Sequence, residues 1–131
     1  MSSIFTKIVD GELPSYKVAE NDKFVAFLDI NPLKEGHTLV IPKKEIDYFF
    51  DIHDDLLQDY ILFSKRVAKA IEKSIPCLRV GLTVIGLEVP HAHIHLIPIE
   101  NISDMSFNSP KLKITSDRML EIQELIISNF I

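Results

Sequence analysis

The sequence predicts an α+β fold in which a mainly antiparallel sheet of about five strands is covered by one long helix and followed by a C-terminal helix. Segments with strand character outnumber helical ones, and most neighbouring strands are joined by connections too short for a parallel crossover. One long stretch of helical periodicity occupies the middle of the chain. Because 131 residues is the length of one domain, we expect residues 1–131 to form a single domain.

Composition and charge exclude several classes of protein. The single cysteine, Cys77, cannot form an internal disulfide, which argues against a secreted scaffold held by bridges. The 14 basic residues are dispersed and are outnumbered by 19 acidic ones, so we expect no nucleic-acid partner. No apolar run approaches the roughly 20 residues of a membrane helix, and no signal peptide is visible. We therefore expect a cytoplasmic protein that does not bind membranes.

The first half of the chain contains three predicted strands. Tyr16–Glu20 and Phe24–Leu28 are expected to form a hairpin, because two turn-forming residues, 21 and 22, lie between them. A third strand is predicted over His37–Ile41. Residues 29–35, which connect the second and third strands, are rich in turn formers and are expected to form a surface loop.

Two helices are predicted. Over Asp54–Ser74 the apolar residues fall on one stripe, with acidic residues at the start and basic residues near the end, as the helix macrodipole favours. Pro76 is expected to end this helix. A final amphipathic helix carries its apolar residues between positions 119 and 130, and Ser116 or Asp117 is the predicted N-cap.

The most informative segment is a predicted strand over His91–Ile97, which follows another predicted strand, Leu78–Ile85. Side chains alternate between the two faces of a strand. An apolar face suits the core, whereas an imidazole face is too polar to bury without partners. The two faces of this strand are His91, His93 and His95 on one side and Ala92, Ile94 and Leu96 on the other.

Three interpretations of the histidine face compete. The imidazoles could simply be satisfied by hydrogen bonds, although three on one face make this the least expected interpretation. Two of them could bind zinc, copper or nickel, with His37 or Glu88 as a third protein ligand. The third interpretation is nucleophilic and acid–base catalysis, in which neighbouring histidines fix the tautomer of the attacking one. We favour the third.

Three segments, in this order along the chain, resemble the histidine triad (HIT) superfamily. Residues 4–15 resemble the opening segment of that family, and residues 27–32 followed by 36–43 resemble its nucleotide-side segment. The signature of the family is His-φ-His-φ-His-φ-φ, with φ apolar, and residues 91–97 match it at every position. The resemblance implies a HIT-like fold and, within the phosphoramidase-like branch of the family, a homodimer.

Members of this family are nucleotide hydrolases and transferases that act on an α-phosphate, and the resemblance implies matching roles here. His93 would attack phosphorus and form a covalent nucleotidyl-histidine that water then cleaves. His95 would contact the phosphoryl oxygens, while His91 and His37 would complete the proton network. No metal or other cofactor is required.

The resemblance also implies a purine nucleotide as substrate. Asp29 would accept hydrogen bonds from the ribose hydroxyls, although a loop Asp can also bond its own backbone before an Asn-Pro pair. Positions that resemble those enclosing the base are equally suited to a plain core. These positions are Phe5, Ile8, Phe27 and Ile30.

The chain departs from the family pattern in two places. Many relatives carry Asn and Gly-Gln ahead of the triad as donors to phosphate and leaving group, whereas here Leu87 stands at the Gln position and no Asn is present. Some relatives bind zinc through Cys-x-x-Cys in the opening segment, where this chain has Ser3 and Thr6.

Taken together, the three matching segments imply a hydrolase of purine nucleoside phosphoramidates or related derivatives. A dinucleoside polyphosphate hydrolase and a slow-turnover nucleotide-binding regulatory protein are the alternatives.

Overall fold

A computed structural model describes residues 2–131, within which five strands form one antiparallel sheet in the order β1-β2-β3-β5-β4. The α+β class and the mainly antiparallel sheet predicted from the sequence are confirmed. No helix in the described part of the chain has the length and apolarity needed to cross a membrane. The strands are β1 (Lys17–Glu20), β2 (Phe24–Leu28), β3 (Thr38–Pro42), β4 (Arg79–Thr83) and β5 (Ile94–Ile99), and the α-helices are α1 (Ile4–Val9), α2 (Asp54–Ser74) and α3 (Ser116–Asn129).

The sheet separates two apolar clusters, because its strands are buried on both faces. On β2, Phe24, Ala26 and Leu28 belong to the larger cluster, which includes the buried faces of α2 and α3. Val25 and Phe27 point the other way, into a smaller cluster that includes two residues of α1. The sheet is therefore a middle layer, with the two long helices on one face and the short helix α1 on the other.

One row of paired residues carries the histidine face across the sheet. Phe27 pairs with Leu39, Leu39 pairs with His95, and His95 pairs with Thr83 on the edge strand β4. Directly opposite residues in an antiparallel sheet share a face. Because Phe27 and Leu39 lie in the cluster beside α1, the His95 side chain is on that same face. Ile94 and Leu96 are in the larger cluster, as the alternation predicted.

The strand that carries the triad begins later than predicted, at Ile94 rather than at His91. Val40 pairs with Ile94, so continued pairing would set Pro42 opposite Ala92. Proline has no N–H to donate to a ladder. In addition, the Ile94 N–H donates to the Tyr60 hydroxyl at 3.1 Å, and that hydroxyl donates to the Val40 carbonyl, so the pairing ends here. The Ala92 N–H donates instead to the carbonyl of Ile46, at 2.7 Å.

Other predicted boundaries are also corrected. β1 begins at Lys17 rather than Tyr16, β3 spans Thr38–Pro42 rather than His37–Ile41, and β5 ends at Ile99 rather than Ile97. The N-cap of α3 is Thr115, one residue before the predicted Ser116 or Asp117, and its hydroxyl accepts the Arg118 N–H at 3.2 Å. The strand predicted over Leu78–Ile85 is shortened to Arg79–Thr83. His53, for which the sequence suggested no role, is the N-cap of α2, where its Nδ1 accepts the Leu56 N–H at 3.4 Å.

Candidate active site

The chain just before β5 determines the tautomer of His93. Its Nδ1 lies 2.8 Å from the backbone carbonyl of His91. A carbonyl can only accept, so Nδ1 carries the proton and Nε2 carries the lone pair. Within residues 2–131, His93 Nε2 makes no hydrogen bond. Every fully buried side-chain nitrogen of these residues does make one, so His93 Nε2 must be accessible to solvent. The hydrogen bond to the His91 carbonyl therefore fixes the orientation in which the lone pair of Nε2 is presented.

A hydrogen-bonded chain determines the tautomer of His95. The backbone N–H of Leu33 donates to His37 Nδ1 at 3.0 Å, which leaves the proton of this imidazole on Nε2. His37 Nε2 lies 3.0 Å from His95 Nδ1 and donates to it. His95 must then carry its proton on Nε2, where it is an available donor. The centroids of the His93 and His95 rings lie 4.9 Å apart, so the two imidazoles are neighbours on this face.

Burial keeps the imidazoles of His37 and His95 neutral. It lowers the pKa of His37 to about 3 and that of His95 to about 4, and in each case neighbouring positive charges, including that of Lys111, act in the same direction. Burial also lowers the pKa of His91, although the hydrogen bond to Pro42 and the charge of Glu45 act to raise it. Neutral rings are required for the tautomers described above.

His91 anchors the amino-terminal segment to the sheet. Its Nε2 donates to the carbonyl of Pro42 at 2.7 Å, and its Nδ1 accepts from the hydroxyl of Ser3 at 2.9 Å. Glu45 joins the same network, because it accepts from the Ser3 amide and the Thr6 hydroxyl, both at 2.6 Å. These hydrogen bonds lower the pKa of Glu45 to about 2. Ser3 and Thr6, at the positions where some relatives carry cysteines, here hold α1 against the triad through hydrogen bonds.

Asp29 lies beside His37 at the start of the loop. Its Oδ2 is 3.6 Å from His37 Nε2, and its Oδ1 accepts the Asn31 N–H at 2.8 Å. The backbone hydrogen bond considered for a loop Asp is therefore present, and the second carboxylate oxygen faces the histidines. Burial raises the pKa of Asp29, opposed by that hydrogen bond and by the charges of Lys111 and His93.

Three of the four residues considered for base enclosure form one cluster beside the triad. The Phe5 ring is 5.0 Å from the His93 ring and 5.7 Å from the Phe27 ring, and Ile8 belongs to the same buried cluster. Ile30 is separate from this cluster, with 71% of its surface exposed. Phe5 thus gives the histidine face an apolar wall next to His93.

Two residues at the site were not found from the sequence, Phe107 and Lys111. The Phe107 ring is 4.8 Å from the His95 ring and 6.2 Å from the His37 ring. Lys111 donates to the Phe107 carbonyl at 2.8 Å. The segment that carries them has no strand or helix periodicity. The one available signal was that Phe107 is the single aromatic residue between positions 100 and 116.

Asp29, His37 and His95 form a group in the described part of the chain whose ligand atoms lie within 4.8 Å of one another. The sequence suggested His37 or Glu88 as the third protein ligand of a metal. The group contains His37, and its carboxylate comes from Asp29 rather than from Glu88. Carboxylate and imidazole are ligands that suit zinc. In this structure His37 Nε2 and His95 Nδ1 are engaged in a hydrogen bond with each other.

Comparison with known proteins identifies relatives over most of the chain. Residues 10–102 match the family model of the HIT domain. Adenosine 5′-monophosphoramidase of Saccharomyces cerevisiae is 43% identical over 96 residues, which cover 72% of this chain and 61% of that protein. The adenosine 5′-monophosphoramidase of Schizosaccharomyces pombe is 39% identical over 102 residues, which cover 77% of each chain. A HIT-like protein of Borreliella burgdorferi is 35% identical over 134 residues, 96% of each chain.

Solved structures have the same fold. A HIT-like protein of Bartonella henselae, described as involved in cell-cycle regulation, superposes with a TM-score of 0.84 at 28% identity, over 98% of this chain and 96% of that one. A zinc-bound histidine triad family protein of Mycobacterium smegmatis has a TM-score of 0.83 at 28% identity, over 99% and 94%. The triad sequence, the fold and these matches agree, and the chain belongs to the HIT family.

Proposed function

We propose that the protein is a nucleotide hydrolase or transferase that acts at the α-phosphate of purine mononucleotide derivatives of the nucleoside phosphoramidate type. One observation carries this proposal: the ring of His93, whose Nε2 lone pair is accessible, lies beside the ring of His95, which carries a proton on its Nε2. An in-line displacement at phosphorus needs a nucleophile and, next to it, donors for the phosphoryl oxygens. The yeast relatives named adenosine 5′-monophosphoramidases support this substrate class.

In the proposed reaction His93 Nε2 attacks the α-phosphorus, the bond from Nε2 to phosphorus forms, and the bond from phosphorus to the leaving amine breaks. The amine departs with a proton supplied by solvent. Water then attacks phosphorus and breaks the bond to Nε2, which releases the nucleotide and returns a proton to solvent. The His91 carbonyl accepts from His93 Nδ1–H throughout, so it stabilises the imidazolium of the covalent adduct.

His95, with His37 behind it, is proposed to contact the phosphoryl oxygens. Its Nε2–H can donate to an oxygen whose negative charge grows as phosphorus is attacked. His37 holds the required tautomer, and the Leu33 N–H in turn holds that of His37. His91 is proposed to act one step away, because it positions the carbonyl that orients His93 and fastens α1 with its Phe5 wall.

The nucleoside is proposed to bind between Asp29 and the apolar wall. Asp29 Oδ2 would accept from the ribose hydroxyls, while Phe5, Ile8, Phe27 and Ile30 would enclose the base. Apolar enclosure recognises the shape of a purine and discriminates little between adenine and guanine. The proposal is supported by the contact between Phe5 and His93, since a base against Phe5 would leave its 5′-phosphate near the triad.

Replacing Asp29 with Asn tests ribose recognition. Asn keeps the oxygen that accepts from the Asn31 amide but loses the charge, so we expect kcat/KM for an adenosine phosphoramidate to fall by about tenfold or more. For the 2′,3′-dideoxy analogue we expect little change. Asp22→Asn, an exposed turn residue, is the matched control. Equal losses on the two substrates would contradict ribose binding by Asp29.

Two alternatives share this site. A dinucleoside polyphosphate hydrolase would use the same nucleophile with a larger leaving group, and a regulatory binding protein would keep the pocket with slow turnover. The second is favoured by Leu87, which is 89% exposed and supplies no donor where relatives carry Gln. Turnover of an adenosine phosphoramidate, its guanosine analogue and diadenosine polyphosphates separates the three functions. We expect the phosphoramidates to be the better substrates.

Chelation is expected to leave turnover unchanged, because the proposed step uses no metal. The measurement is turnover after dialysis against EDTA, together with metal analysis of the protein. Zinc bound in stoichiometric amount, lost together with activity and restoring activity when added back, would contradict the proposal. Asp29, His37 and His95 would then be the candidate ligands of that ion.

We also propose a homodimer. The edge strand β4 presents the exposed side chain of Leu82, and Leu78 and Leu87 beside it are exposed as well. An unpaired edge with apolar side chains favours pairing with a second chain. Light scattering coupled to size exclusion measures the mass directly, and a monomer at every concentration would contradict this proposal. The cytoplasmic location and the lack of a nucleic-acid partner remain predictions.

A further inference from the structure

A short segment of chain holds Lys111 at the histidine face. The Phe107 ring contacts His95, and the Lys111 ammonium lies 5.4 Å from the centre of that ring while it donates to the Phe107 carbonyl at 2.8 Å. One residue further on, the Leu112 N–H donates to the carbonyl of Pro32 at 2.8 Å, in the loop that Asp29 begins. The segment is therefore fixed to the triad at one end and to the ribose-side loop at the other.

The charge of Lys111 acts on the site. Burial raises the pKa of Asp29, and the charge of Lys111 opposes that rise. Burial lowers the pKa of His37 and of His95, and the charge of Lys111 adds to that lowering. Within residues 2–131 no carboxylate oxygen lies within 4.0 Å of its ammonium. Two other basic side chains that contact neighbouring segments are paired, Lys34 with Asp104 and Arg118 with Glu35. Lys111 is therefore a cation beside the histidines whose charge is not neutralised by an ion pair.

A positive charge at this place would balance the negative charge of a nucleotide phosphate bound at the histidines. The imidazoles of His37 and His95 are neutral at neutral pH, Asp29 is an anion when ionised, and Leu87 offers no donor. An ammonium has three donors, and the Phe107 carbonyl takes one. Two remain for phosphate oxygens, while the aromatic ring beneath favours the cation by cation–π attraction.

We propose that Lys111 is a substrate-binding residue, whose ammonium donates to the 5′-phosphate oxygens of the nucleotide while Phe107 supports it against His95. The inference rests on the proposed function, since it needs a nucleotide whose phosphate lies at His93. It assigns to the segment 107–112 hydrogen-bond donors for the phosphate, because Leu87 supplies none at the position where many relatives carry Gln. Part of the affinity for a nucleotide would then come from the charge of its 5′-phosphate.

The test is calorimetric binding of AMP and of adenosine to the full chain and to three variants. We expect Lys111→Met to weaken AMP binding about tenfold, the loss of one charge-assisted hydrogen bond, and to leave adenosine binding unchanged. Lys111→Arg should restore most of the AMP affinity, because it keeps the charge. Lys113→Met removes an exposed lysine two residues away and should bind AMP as the wild type does.

The outcomes separate the two proposals. AMP binding to Lys111→Met with wild-type affinity, or equal losses for AMP and adenosine, would overturn the role of Lys111 while leaving the proposed function standing. Failure of the wild type to bind AMP at all would overturn the proposed function and this inference with it. Unchanged adenosine binding also shows that the variant retains its folded pocket.

Discussion

His93→Ala is expected to lower turnover of an adenosine phosphoramidate by about ten-thousandfold or more, while binding of AMP is retained. The nucleophilic Nε2 lone pair is lost, and no other described side chain offers an accessible nitrogen that faces the His95 donor in the same way. The ring of His93 is not part of the Leu33–His37–His95 chain, so its removal leaves that chain intact. Steady-state turnover and calorimetry on the same preparation measure the two effects.

The matched control for this variant is His53→Asn. His53 lies outside the site and caps α2, and Asn keeps an acceptor at the cap. We expect wild-type turnover from this control. A covalent nucleotidyl adduct, trapped by rapid denaturation, should map to His93. Turnover by His93→Ala at the wild-type rate, or an adduct on any other residue, would overturn the assignment of the nucleophile.

The sequence was sufficient for the fold class and for the face that carries the imidazoles. Alternation around Ile94 and Leu96 depends only on local backbone geometry and hydrophobic burial, and both residues are in the core as predicted. The start of β5 was wrong by three residues, because it depends on Pro42, which is distant in sequence and becomes a neighbour only through the pairing of β3 with β5. The N-cap of α3 was wrong by one residue, since Thr115, Ser116 and Asp117 all suit a cap.

Tautomers and partners could not be predicted from sequence. The proton positions on His37 and His95 follow from the Leu33 N–H, and nothing in the local sequence indicates that this amide points at an imidazole. The contacts of Phe107 and Lys111 depend on the path of a segment without periodicity. The roles of Asp29 and of the base-enclosing residues stay predictions, which substrate analogues test.

Tyr60→Phe is expected to reduce the free energy of unfolding by about 2–4 kcal/mol. The Tyr60 hydroxyl is fully buried, donates to the Val40 carbonyl and accepts the Ile94 N–H at 3.1 Å, where the pairing of β3 with β5 ends. Phe keeps the ring, which stacks on Phe24 with centroids 5.2 Å apart, and removes only the hydroxyl. A buried carbonyl and a buried N–H would then lose their partner, and no water can reach them without opening the core.

Urea unfolding measures this change, and Tyr48→Phe, whose ring is exposed, serves as the matched control with an expected change near zero. Because Ile94 immediately follows His93, loss of the hydroxyl also loosens the start of β5. We therefore expect kcat to fall more than AMP affinity, since attack on phosphorus needs a closer alignment of His93 and His95 than binding does. Equal midpoints and equal slopes for Tyr60→Phe and the wild type would show that the hydroxyl contributes nothing to stability. In that event the junction of β3 with β5 would be held by the antiparallel pairing of the two strands and by the burial of Val40 and Ile94.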